Sequence, residues 1–162
     1  MAASAIAGSL RLTRALSLVA GLCWALAINA QAPVNASPDT AVAVADATTE
    51  SNKWLAAVDA GRYAETWADA ATVFKEGAPE ADWTAQLRNM HETLGKAVIR
   101  KLESANYSTT LRGAPTGDYV TITYLTQFEG AQTALETLAL TKEGDGHWRV
   151  AGYTIGRAPE SK

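Results

Sequence analysis

The hydrophobic period of this sequence changes once, at Gly95, and that change sets the class of fold. Before it apolar residues recur at helical spacing; after it they alternate. Trp54, Leu55 and Val58 share one face of a short helix that ends at Gly61, glycine being the residue that best accepts the left-handed backbone of a helix stop. Tyr63, Trp67, Ala70, Ala71 and Phe74 predict a second helix, closed by Gly77. A third starts at Pro79, with Glu80 and Asp82 near its positive end, and ends at Gly95; Trp83, Leu87, Met90 and Leu94 form its apolar face.

Beyond Gly95 the reading is of strands. Residues 97–107 form the first, joined to the next by a loop containing Gly113, Pro115 and Gly117. Tyr119–Phe128 puts Val120, Ile122, Tyr124 and Phe128 on one face and Thr121, Thr123 and Gln127 on the other, a strand with one wet side. Residues 134–141 and 148–155 continue the pattern around a hairpin turn at Glu143-Gly144-Asp145-Gly146. Three helices followed by an antiparallel four-stranded run predict a single α+β domain over residues 50–157.

Composition narrows the function classes. A chain of 162 residues that is 48% hydrophobic and 19% charged has enough apolar surface for one core and too little charge for a disordered chain. A formal charge of −3 argues against nucleic acid as a partner. The single Cys rules out an internal disulfide and a cysteine zinc cage. Arg11 and Arg14, the only charged residues before Asp39, precede the apolar run 15–28, and Ile28 and Ala30 fit the small-residue exit of a secretory leader. Residues 1–30 therefore read as a signal peptide cleaved after Ala30, with a periplasmic or secreted product that carries neither Cys23 nor a membrane anchor. Residues 31–49, with small and polar residues and no large aromatic, read as a flexible spacer, and 158–162 as a C-terminal tail.

Several spaced segments resemble a bacterial family known as domain of unknown function 4019: Trp54-Leu55-Ala56-Ala57-Val58-Asp59-Ala60-Gly61-Arg62-Tyr63 with Trp67, then Leu94-Gly95 with Arg100, and Gly113-Ala114-Pro115-Thr116-Gly117-Asp118-Tyr119. Glu136-Thr137 and the stretch Asp145-Gly146-His147-Trp148-Arg149-Val150-Ala151-Gly152-Tyr153 continue it, while Arg112 departs from it where proline would precede Gly113. The resemblance implies an exported bacterial protein without an assigned activity. The order of elements also resembles the cystatin or nuclear-transport-factor roll, a curved sheet wrapped on a helix. That is analogy of fold, and such rolls host enzymes, binders and inert dimers alike.

The polar residues that stand out are Arg100, placed with Val98 and Leu102, and Glu136, placed with Leu138 and Leu140. A charge on an apolar face needs a partner, and these two can pair across the sheet through a bidentate guanidinium. They serve as a structural ion pair, or turn outward at a strand bulge, or form the polar floor of a ligand pocket walled by Trp54, Tyr63, Trp67 and Trp83. Asp59 reads as a helix-end residue bonding the next segment's backbone, or as a catalytic acid. His91 and His147 have no second ligand at metal spacing, and no nucleophile motif is present, so neither a metal, a cofactor nor a catalytic residue is assigned. Three classes of function remain. The leading one is a non-catalytic periplasmic binding or accessory module for a small molecule or protein; the second is a self-associating domain, a homodimer through the sheet. The third, a roll-type isomerase or dehydratase, needs Asp59, His91 or Glu136 to meet in one pocket.

Overall fold

The computed structural model describes residues 37–130 and 132–158. The signal-peptide reading of residues 1–30, residues 31–36 of the spacer and residues 159–162 of the tail fall outside them. The order of elements is α1 (Pro38–Asp59), α2 (Tyr63–Ala68), α3 (Thr72–Gly77), α4 (Glu80–Leu94), β1 (Ala97–Ser108), β2 (Tyr119–Phe128), β3 (Thr133–Lys142) and β4 (Trp148–Arg157). The fold is α+β. The four strands pair antiparallel in the order β1-β2-β3-β4, which leaves β1 and β4 as edges.

Two expectations about the helices are corrected. Residues 38–49, read as spacer, form the first half of the 22-residue α1. The Ser37 side chain caps this helix by accepting the Thr40 N–H at 3.2 Å, Pro38 occupies its first turn and Asp39 lies at its positive end. Its residues are small, yet they bury surface: Ala47 is fully buried and Ala43 and Val44 pack against the core. Close approach to the sheet then lets Ser51 meet the Tyr124 hydroxyl at 2.9 Å. The second helix is two helices, so the described residues hold four helices rather than three. Between α2 and α3 the Ala71 N–H leaves the helical pattern and donates to Val150 O of β4 at 2.8 Å, with Ala70 and Ala71 buried. Docking onto an edge strand outweighs the local preference for one helix.

Gly95 marks the turn from helix to strand by necessity. Its φ of 76° and ψ of −169° lie in a region nearly exclusive to glycine. An added Cβ would also stand 2.9 Å from Glu129 Cβ, in the β2–β3 turn that closes on this corner.

The helices cover one sheet face. Val120, Ile122, Tyr124, Leu138, Leu140 and Val150 form a core with Trp54, Leu55, Val58, Phe74, Trp83 and Leu87. The other face carries half-buried Thr121, Thr123 and Thr137. Bulges at Val98 and Glu103 in β1 and at Ala151 in β4 shift the register between faces.

Candidate functional site

On the covered face every strand and α1 each give one polar side chain to a single network. Arg100 (β1), Thr126 (β2), Glu136 (β3), Tyr153 (β4) and Asp59, the last residue of α1, meet there. Arg100 donates from Nε to Glu136 Oε2 at 2.6 Å and from Nη2 to Oε1 at 3.3 Å. The same guanidinium donates to Asp59 Oδ2 at 2.8 Å and Oδ1 at 3.1 Å. Tyr153 donates to Glu136 Oε1 at 2.6 Å, and the Thr126 hydroxyl donates to Oε2.

Burial makes this network matter. Glu136 is 1% exposed, and a charge there holds only if its acceptor positions are filled. Two carboxylate oxygens offer about four such positions, and four donors occupy them. No lone pair is left to take a proton from a substrate. Burial of the Arg100 guanidinium favours the neutral form, but the hydrogen bonds and charges of Asp59 and Glu136 outweigh it and raise its pKa further. Arg100 and Glu136 thus pair across the sheet, bidentate through the guanidinium.

Tyr153 links this network to the aromatic core. Its ring packs on Trp54 at 5.2 Å and Trp83 at 6.3 Å while its hydroxyl holds Glu136. Burial first, and then the charge and hydrogen bond of Glu136, raise the phenol above its ordinary value of 10.0. The folded chain thus retains a proton that the unfolded chain gives up, so this stabilisation is complete below pH 10.0 and declines as pH rises beyond it. The melting temperature should fall more steeply across this range in the natural chain than in Tyr153→Phe, a comparison that cancels the other tyrosines.

Of the four aromatic candidates, Trp54 and Trp83 are buried in the core, where Trp54 also lines one surface cleft and Trp83 another, and Tyr63 and Trp67 pack half-buried against it. Trp54 Nε1 donates to Thr66 O and Trp83 Nε1 to Thr66 Oγ1, each at 2.9 Å, and the two indoles lie 5.9 Å apart. Trp67 donates to Ala78 O at 2.6 Å, and Tyr63 stacks edge-on with His91 at 5.5 Å. Three surface clefts, of about 580, 560 and 270 Å³, have neither Arg100 nor Glu136 in their walls. Asp59 accepts from Arg100 rather than from the backbone that follows it, and the guanidinium stands between it and Glu136. Val98, placed with Arg100 by alternation, is 60% exposed because it forms a bulge.

Thr126 and Tyr153 are the members that sequence reasoning missed. Strict alternation from Val150 puts Tyr153 on the far face; the extra residue Ala151 reverses the phase. Thr126 follows Val120, Ile122 and Tyr124 at a spacing of two, and that was the available signal.

A family model described as a protein of unknown function (DUF4019) matches residues 50–153. The chain belongs to this family. No curated protein matches it. The matched span of the DUF4019 domain includes all five network residues and ends on Tyr153. Among the described residues no cluster of three or more metal-ligating side chains occurs, and no helix is long and apolar enough to cross a membrane.

The largest of the three clefts of the DUF4019 domain lies between α1, the α2 region and the β3–β4 hairpin. Lys53, Arg62 and Arg149 line it together with Glu50, Glu65 and Glu143. Arg149 braces the rim, bonding Glu143 at 2.8 Å and Asp145 at 2.9 and 2.6 Å. The Thr72 backbone N–H, and then Arg149, hold the Glu143 carboxyl below its usual range against the opposing effect of burial. Trp148 lines this cleft and the smallest one. It is 6% exposed, and its Nε1 is the one buried side-chain nitrogen or oxygen among the described residues without a hydrogen-bond partner.

Proposed function

We propose that this DUF4019 domain is a non-catalytic binding or accessory module, exported to the periplasm or beyond, that takes a small ligand bearing both signs of charge in its largest cleft. The observation that carries the reading is that Trp148, whose buried indole N–H has no partner, is one of the residues lining that cleft. A buried donor without an acceptor costs roughly 1–3 kcal/mol, so a ligand acceptor that reaches the N–H as the rim adjusts gains that energy. The cleft volume of about 580 Å³ is in the range of small-molecule sites. Its charges pair mostly with one another at the surface, where such pairs contribute little and exchange readily for those of a ligand. The saturated carboxylate of Glu136 weighs against the isomerase or dehydratase reading. The leader residues Arg11, Arg14 and 15–28 support export, and the order of helices and sheet supports kinship with the cystatin and nuclear-transport-factor rolls.

The test uses the chain recovered from the periplasm, whose mass should begin at Gln31. Zwitterionic dipeptides at millimolar concentration should raise its melting temperature and change its tryptophan emission; inorganic phosphate and a neutral sugar should not. Trp148→Phe, which removes the N–H and keeps a ring, should weaken the dipeptide effect several-fold. No shift with any dipeptide, or the same shift in Trp148→Phe, would overturn the reading.

A further inference from the structure

The β1 edge presents features that neither the cleft nor the ion network uses. Val98, Ile99 and Leu102 are 60%, 60% and 47% exposed, a run of bare apolar side chains on a strand that has a free side among the described residues. The other large exposed hydrophobics, Val42 and Val73, stand apart on α1 and α3. Ile99 is opposite Gln127 and Leu102 opposite Tyr124, so the two point to different faces of the sheet. A partner lying flat on one face would cover only one of them. A strand added at the edge flanks both.

The charges name the strand. Lys101 and Glu103 bracket Leu102, and their mutual contact at 3.0 Å is solvent-exposed. We propose that β1 pairs antiparallel with β1 of a second copy of this chain about a two-fold axis at Leu102, setting Lys101 of each copy against Glu103 of the other. Moving the axis one residue either way, to Lys101 or to Glu103, would oppose like charges across it, so the charge pattern favours the register centred on Leu102. The bulges at Val98 and Glu103 limit how far an added strand can run, and a two-fold pairing consumes the same edge on both copies. The product is a closed dimer and not a fibre. A single strand pair buries less than the ~800 Å² per partner of a standard interface, which makes this dimer a concentration-dependent one.

Sedimentation velocity on the natural mature chain, from low micromolar to near-millimolar protein, should show a reversible monomer–dimer equilibrium. Lys101→Glu and Glu103→Lys alone should each raise the dissociation constant at least tenfold, because each sets like charges across the axis. Both positions are exposed, so circular dichroism should show the fold intact. Mixing the two variants should restore association, since each then meets its opposite. A monomer at every concentration, or a mixture that associates no better than either variant alone, would overturn the proposal. Neither result depends on whether the cleft binds a ligand.

Discussion

Arg100→Met is expected to lower the free energy of unfolding by roughly 3–5 kcal/mol, read from urea denaturation followed by far-ultraviolet circular dichroism. Methionine keeps much of the arginine stem and its apolar contacts, so the loss comes from charge. Glu136, 1% exposed, keeps only the hydroxyls of Thr126 and Tyr153, while Asp59 at 31% side-chain exposure turns to water at little cost. A domain of this size has a total margin of only about 5–15 kcal/mol, so much of it should vanish with one side chain.

A second variant separates charge from packing. In Arg100→Met with Glu136→Gln, the amide oxygen still accepts from Tyr153 and the amide nitrogen donates to Thr126, whose hydroxyl can turn to receive it. No buried charge remains. The double variant should therefore be more stable than Arg100→Met alone, although it carries one more substitution. If the two losses simply add, Glu136 is not the source of the effect, and the network is a surface pair with little energetic weight.

This network also shows what could be read from the chain alone. Arg100 and Glu136 stand out because each is a charge at a position otherwise reserved for apolar residues, and that conflict resolves only by pairing. The strands were legible for the same reason: Val120, Ile122, Tyr124 and Phe128 alternate with threonine and glutamine. Periodicity fails where the backbone inserts a residue, as at Ala151, which carried Tyr153 out of view. It fails again where tertiary contact interrupts a helix, as at Ala71, since no local pattern announces that Val150 will take its N–H. The first half of α1 carries a local signal of its own. Ser37-Pro38-Asp39 is a helix start, and alanine, the best helix former, needs no bulk when it packs closely on a sheet. The aromatic stripe is a different case. Spacing tells that tryptophans share a face, but it does not tell whether they enclose a space or fill it.

Trp83→Ala tests the filled interior and should cost about 3–5 kcal/mol. Trp83 is 4% exposed and touches Phe74 edge-on at 4.8 Å, Trp54 at 5.9 Å and Tyr153 at 6.3 Å. Its removal opens a cavity among aromatic rings too large to collapse into it. Thr66, which loses the indole N–H, still donates its hydroxyl to Tyr63 O at 2.7 Å, so the lost hydrogen bond is the smaller part. Trp83→Phe should accordingly cost much less than Trp83→Ala. The location of the damage is the sharper test. α4 packs mainly on α2 and reaches the sheet through side chains such as Trp83, which meets Tyr153 of β4; Trp83 and Leu87 are its buried residues. Without Trp83 the helix keeps one deep anchor, so amide exchange in Glu80–Leu94 should speed up by more than exchange in β2 and β3. Uniform acceleration across all elements would mean that α4 unfolds only with the whole domain, and that its attachment does not hang on this one indole.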